Sequence, residues 1–145
     1  MKTVLVVEDN EINWKVFERI LTRRGGLLAK HTEDVETVMQ IAESQQADII
    51  LIAISLSNSF YQGTAVDGIK ITQLLKQNPK TAHLPVILVT AHGSNWDRDY
   101  YIKCSGADGY ISKPIVDHKA FLAEIYDRLT NQDPIAFNSI CLASS

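Results

Sequence analysis

The sequence predicts an α/β domain in which five βα units build one parallel sheet with helices on both faces. Short apolar runs rich in β-branched residues alternate with amphipathic stretches of helical period. Three of these runs, TVLVV (3–7), DIILIA (48–53) and PVILVT (85–90), are apolar on both faces, as strands buried in a parallel sheet are. The regular order of strand and helix calls for right-handed crossovers, which lay helices over both sides of the sheet.

TVLVV is the first strand. In 11–24, Ile12, Val16 and Ile20 recur every four residues with Phe17 and Leu21 beside them, a helix that the glycines of RRGG stop. LLAK (27–30) is the second strand. Thr32 stands where an N-cap belongs for a helix over 33–45, with Val35, Val38, Met39 and Ala42 as its apolar set. DIILIA, the third strand, leads to a helix over 67–77 that carries Ile69, Ile71, Leu74 and Leu75. After PVILVT, the stretch 94–104 reads as a helix with Trp96, Tyr100, Tyr101 and Cys104. GYIS (109–112) is the fifth strand, and Asp117 caps a helix over 118–130 striped by Phe121, Leu122, Ile125 and Leu129. The domain thus spans 1–130. The tail NQDPIAFNSICLASS (131–145) lacks periodicity, contains Pro134, and is either a loose terminus or a strip packed on the body.

With 145 residues the chain suits one domain with an ample core. A net charge of -3 gives no reason to expect a basic face for nucleic acid. The opening apolar stretch, Val4 to Val7, is too short for a signal peptide or a membrane span, so a cytoplasmic protein is expected. Cys104 and Cys141 are far apart and read as free thiols in a reducing compartment. His31, His83, His92 and His118 are scattered, and no metal is assigned to them.

In open α/β sheets the functional crevice lies at the carboxyl ends of the strands. The residues there are Glu8, Asp9 and Asn10, then Ala53, then Thr90 and Ala91, then Lys113 and Pro114. Adjacent carboxylates can seat Mg2+, which takes one or two of them and keeps several waters. They can equally be a solvated acidic turn before a helix. Lys113 is either a surface lysine or an ammonium beside a phosphoryl group, and Thr90 either a backbone-satisfying hydroxyl or a donor to phosphoryl oxygen. Singly each has a plain structural role; converging on one crevice, they describe a magnesium–phosphoryl pocket without an acceptor.

VLVVEDNEIN, DIILIA, LPVILVTA and GADGYISKP together resemble the marks of the response regulator receiver domain, of the single-domain chemotaxis and cell-cycle type. The resemblance covers about residues 2 to 130. It implies a flavodoxin-like doubly wound sheet of strand order 2-1-3-4-5. It also implies that Glu8, Asp9 and the backbone carbonyl of Ser55 hold Mg2+, that Thr90 is the switch hydroxyl, and that Tyr110 is its aromatic partner. Lys113 matches the phosphoryl-binding lysine, and the Lys113–Pro114 bond is cis in such domains. Ala53 stands at the position of the aspartate that accepts a phosphoryl group from a sensor histidine kinase or a histidine phosphotransfer protein. Alanine has no nucleophilic oxygen, so it cannot form the acyl phosphate, and the metal loses a carboxylate. Asp48 is no substitute, because it starts the same strand at the other end.

Every other matched pocket residue is intact. That favours an Asp-to-Ala change, deliberate or recent, over a natural pseudo-receiver that binds protein without phosphate. With an acceptor, Thr90 and Tyr110 are expected to move inward on phosphorylation and repack the face of the fourth helix, fifth strand and fifth helix. No DNA-binding or enzymatic output domain follows residue 130, so the output is expected through a docked protein or a homodimer on that face. The chain itself is not expected to be an enzyme. A phosphatase-type hydrolase would need an Asp-x-Asp motif that VVEDNEI does not offer, and a flavodoxin would need a phosphate loop where Glu8 and Asp9 repel phosphate.

Two further features stand out. The loop ISLSNSFYQGTAVDG (54–68) is about twice the usual length for this family; it is either a partner-specific lid or a tolerated extension, with Phe60 and Tyr61 the residues to watch. Trp14 on the first helix is expected to pack against the sheet edge or first loop, or to meet the phosphodonor.

Overall fold

β1 (Thr3–Val7), β3 (Ile49–Ala53) and β6 (Val86–Thr90) are buried along their whole length, and this fixes them at the centre of one parallel sheet. β2 (Leu28–Thr32) and β7 (Gly109–Ser112) flank them, giving the order β2-β1-β3-β6-β7. Leaving out the short hairpin strands β4 (Phe60–Tyr61) and β5 (Thr64–Ala65), this is the expected 2-1-3-4-5 arrangement. The computed structural model describes residues 1–57, 59–91, 95–113 and 115–130, without the side chains of Asn95 and Trp96. The expectations for His92, the Lys113–Pro114 bond, the 131–145 tail and its Cys141 lie outside the described residues.

Side-chain alternation along the strands divides the core into two layers. Val4, Val6, Ile49, Leu51, Ile87 and Val89 point to one side, where Phe17, Ile20 and Leu21 meet Phe121, Ile125 and Leu129 of α5 (His118–Thr130). Leu5, Val7, Ile50, Ile52 and Val86 point to the other. There they meet Val35, Val38 and Ala42 of α2 (Val35–Glu43) and Ile71 and Leu75 of α3 (Gly68–Gln77). A smaller cluster of Ile54, Leu88 and Ala107, with Tyr101 and Tyr110 packed on it, lies toward α4 (Asn95–Ser105). The register pairs Val7 with both Thr32 and Ile52, Ala53 with Val89, and Thr90 with Ser112, so the strands' carboxyl tips end in one row.

Several local expectations shift. The first helix is α1 (Glu11–Arg19) and then widens into a π turn, Ile20–Arg24, before Gly26 takes a φ of 63°. Ile12 and Val16 face solvent, so the buried stripe is Phe17, Ile20 and Leu21. Asp34, not Thr32, caps α2: its carboxylate accepts from Thr37 N at 3.0 Å, while Thr32 Oγ accepts from Asp34 N. Asp117 does cap α5, accepting from Ala120 N at 3.0 Å.

The long 54–68 loop contains the β4–β5 hairpin, with Phe60 paired to Ala65 and Tyr61 to Thr64. Gln62 and Gly63 both have positive φ, the twist that a two-residue hairpin turn demands. Its two ends are pinned: Val66 N donates to Ser59 O, Ser59 Oγ to Glu33 O, and Gly68 N to Ile54 O. At Gly68 a Cβ would lie 2.1 Å from the Ala53 carbonyl oxygen, so the return to α3 runs too close to β3 for any side chain.

Candidate phosphoryl and metal pocket

Glu8 follows the last residue of β1, at the row of strand tips, and is 1% exposed. A carboxylate that deep needs partners. It has two: the Lys113 ammonium, which donates to Oε2 at 3.1 Å, and Asn10 N, which donates to Oε1 at 3.2 Å. Lys113 comes from just beyond β7, which two strands, β3 and β6, separate from β1, and its own N donates to Thr90 O at 2.7 Å. Asn10 caps α1 by accepting from Asn13 N at 2.9 Å, which fixes the turn that carries both acids. On the far side of Glu8, the His31 ring meets its carbonyl oxygen at 2.6 Å and stacks on Trp14 with centroids 4.7 Å apart. Trp14 thus packs over β2 and the first loop, as expected.

Asp9 leans the other way. Its Oδ2 accepts from Ser57 N at 2.9 Å and from Ser57 Oγ at 2.5 Å. Burial pushes this carboxyl up, but the Ser57 hydroxyl and N–H, together with Glu8, outweigh it and hold it below the usual carboxylate range. Glu8, Asp9, Asn10, Asn13, Ile54, Ser55, Leu56, Ser57, Asp67 and Lys113 line an open cleft of about 530 Å³.

The structure therefore brings Glu8, Asp9, Ser55 and Lys113 to one cleft. Ala53 is buried at the tip of β3, one residue before the cleft-lining Ile54. Thr90 is buried at the tip of the neighbouring β6. Tyr110 sits farther off, in the cluster with Ile54 and Leu88. Burial, then Asp97 and Tyr101, raise its phenol above the ordinary value. Sequence reasoning missed Ser57 and the position of Asp67 on the cleft wall, because a serine in a long polar loop gives no periodic signal.

The Glu8 and Asp9 carboxylates on the cleft are hard oxygen donors of the kind that suit Mg2+, which takes one or two carboxylates and keeps several waters. Among the described residues no group of three or more His, Cys, Asp or Glu is placed to hold a metal.

Residues 4–126 match the family described as response regulator receiver domain. The chain is similar to the polar-differentiation response regulator DivK of Brucella anthropi, 36% identical over 114 residues, or 79% of this chain and 85% of that one. A CheY-like receiver domain protein from Methanospirillum hungatei shares the fold with a TM-score of 0.73 at 20% identity, over 92% of this chain and 97% of that one. The receiver domain of a sensor histidine kinase from Pseudomonas aeruginosa is 27% identical with a TM-score of 0.68, over 90% and 96% of the two chains. That domain was solved with a magnesium ion coordinated in its active site cleft.

Proposed function

The chain belongs to the response regulator receiver domain family, and on that footing we propose that it is a two-component receiver whose phosphoacceptor position holds alanine. The observation that carries this reading is the Lys113 ammonium, 3.1 Å from Glu8 at the cleft that Ile54, the residue after Ala53, helps to line. The ammonium neutralises the buried Glu8 carboxylate, and its place at the open row of strand tips also puts a cation where an incoming anion would meet it. Glu8, Asp9 and the Ser55 carbonyl would hold Mg2+, more weakly than with an aspartate at 53. Bound there, the metal supplies charge that draws phosphoryl oxygens to the site.

With an aspartate restored, Lys113 would move from Glu8 to a phosphoryl oxygen, and Thr90 would donate to another. Ile54 packs with Leu88 and Tyr110, which supports a route from the acceptor to the α4, β7 and α5 face. The donor is a sensor histidine kinase or a histidine phosphotransfer protein. The output is a docked protein or a second copy on that face, in the cytoplasm, with signalling rather than catalysis as the role. No helix among the described residues is long and apolar enough to cross a membrane.

Ala53 itself also suits a pseudo-receiver that never used phosphate. Restoring the carboxylate separates the two readings. Ala53→Asp with Mg2+ is expected to bind beryllofluoride and to take a phosphoryl group from acetyl phosphate, while the unchanged chain does neither. Failure of Ala53→Asp on both counts overturns the proposal in favour of the pseudo-receiver. The residue that the gene encodes at 53 then tells a recent loss from an engineered one.

A further inference from the structure

The loop that carries the β4–β5 hairpin is tied to the proposed metal pocket through Ser57. Its N–H and hydroxyl both reach Asp9 Oδ2, at 2.9 and 2.5 Å. Ser57 lies 48 residues from Asp9 in the chain, and it shares the cleft wall with Leu56 and Ser55. Two donors from one residue on a single oxygen restrict the orientation of the Asp9 carboxylate. The same contact anchors the outgoing arm of the loop, whose returning arm is held by Val66 N on Ser59 O and Gly68 N on Ile54 O.

We propose that Ser57 is a positioning residue for Asp9, orienting its carboxylate for a divalent cation and coupling the hairpin to occupancy of the cleft. The argument is the one that applies to the outer partners of metal ligands generally. A ligand oxygen held by a second hydrogen-bonded group loses less orientational freedom on binding, and removing that group costs about 10- to 100-fold in affinity. Coupling is reciprocal, so a cation that fixes Asp9 also fixes Ser57 and the arm of the loop that it anchors. The hairpin then becomes a surface that differs between the empty and the loaded pocket, with Phe60 exposed on it.

This inference rests on the metal pocket proposed above, and the test keeps the two apart. Mg2+ binding is measured by calorimetry on the unchanged chain and on Ala53→Asp, each with and without Ser57→Ala and Ser57→Thr. Hydrogen exchange of the Ser57 and Val66 amides is followed alongside. Ser57→Ala is expected to weaken Mg2+ about tenfold or more, and Ser57→Thr, which keeps the hydroxyl, to restore it. Mg2+ is expected to slow exchange at both amides in the parents and not in Ser57→Ala. Equal Mg2+ affinity in parent and Ser57→Ala, with both folded by circular dichroism, overturns the positioning role alone. Loss of affinity that Ser57→Thr does not restore also overturns it. Absence of Mg2+ binding in both parents removes the metal pocket, and this inference with it.

Discussion

Asp9 and Glu8 are neighbours in the chain and opposites in environment. Glu8 is enclosed and answers to Lys113, whereas Asp9 is more open and answers to Ser57. A carboxyl held below its unfolded value of about 3.9 stabilises the fold above that pH. The contribution is lost as pH falls through the lowered folded value. Ser57→Ala removes one of the two donors, so the Asp9 midpoint is expected to rise toward the ordinary range. The variant then loses part of its neutral-pH stability, and the two proteins converge once acid has protonated Asp9 in both. Carbon NMR of the Asp9 carboxyl, with denaturation at several pH values, checks this. A midpoint that stays put in the variant counts against Ser57 as the cause.

Element by element, the strands were the most legible part of the sequence, because runs such as DIILIA are buried on both faces and leave no alternation to misread. β2 is an edge strand with Leu28 half exposed, so its run is weak and its bounds moved from 27–30 to 28–32. The four-residue recurrence of Ile12, Val16 and Ile20 misled in α1, because a four-residue step drifts about 40° on a period of 3.6 residues and carries the row across the helix face, so only Ile20 of the three is buried. The strand-tip acids and Lys113 could be found from spacing and resemblance, but a two-residue strand pair closed by Gln62 and Gly63 carries too little pattern to be seen. Within that hairpin, Phe60 is exposed while Tyr61 packs partly on the layer of Val35 and Val38. Phe60→Ser is therefore expected to change stability by less than about 0.5 kcal/mol. Tyr61→Ala should cost about 1 kcal/mol or more through lost apolar burial. Urea denaturation of both variants is the measurement, and a larger loss at Phe60 than at Tyr61 would contradict the packing described.

For the molecule as a whole, apolar packing and the charged cleft occupy different places. Two apolar layers hold the sheet from both faces, and the ionic pocket is confined to the row of strand tips. A charge change at that row should therefore leave the fold unaltered and act on stability through charge repulsion alone. In this chain the Ala53 methyl leaves Glu8 and Asp9 with Lys113 as the cation on the cleft wall. An aspartate at 53 adds a negative charge beside those of Glu8, Asp9 and Asp67, and like charges a few ångströms apart repel by about 1 to 4 kcal/mol in water to near-surface surroundings. Lys113 offsets part of that. Without divalent cation, Ala53→Asp is expected to melt below the unchanged chain, by about 3–5 °C for each kcal/mol of net repulsion. Mg2+ bound to the folded state at a hundredfold excess over its Kd would return about 2.7 kcal/mol. The cation should therefore raise the Tm of Ala53→Asp well above its own metal-free value and raise that of the unchanged chain less. Thermal melts of the two proteins with EDTA and across a Mg2+ series measure both shifts. Equal gains in the two would mean that position 53 does not face the cation, and no gain in either would leave the acid pair explained as a helix-capping turn.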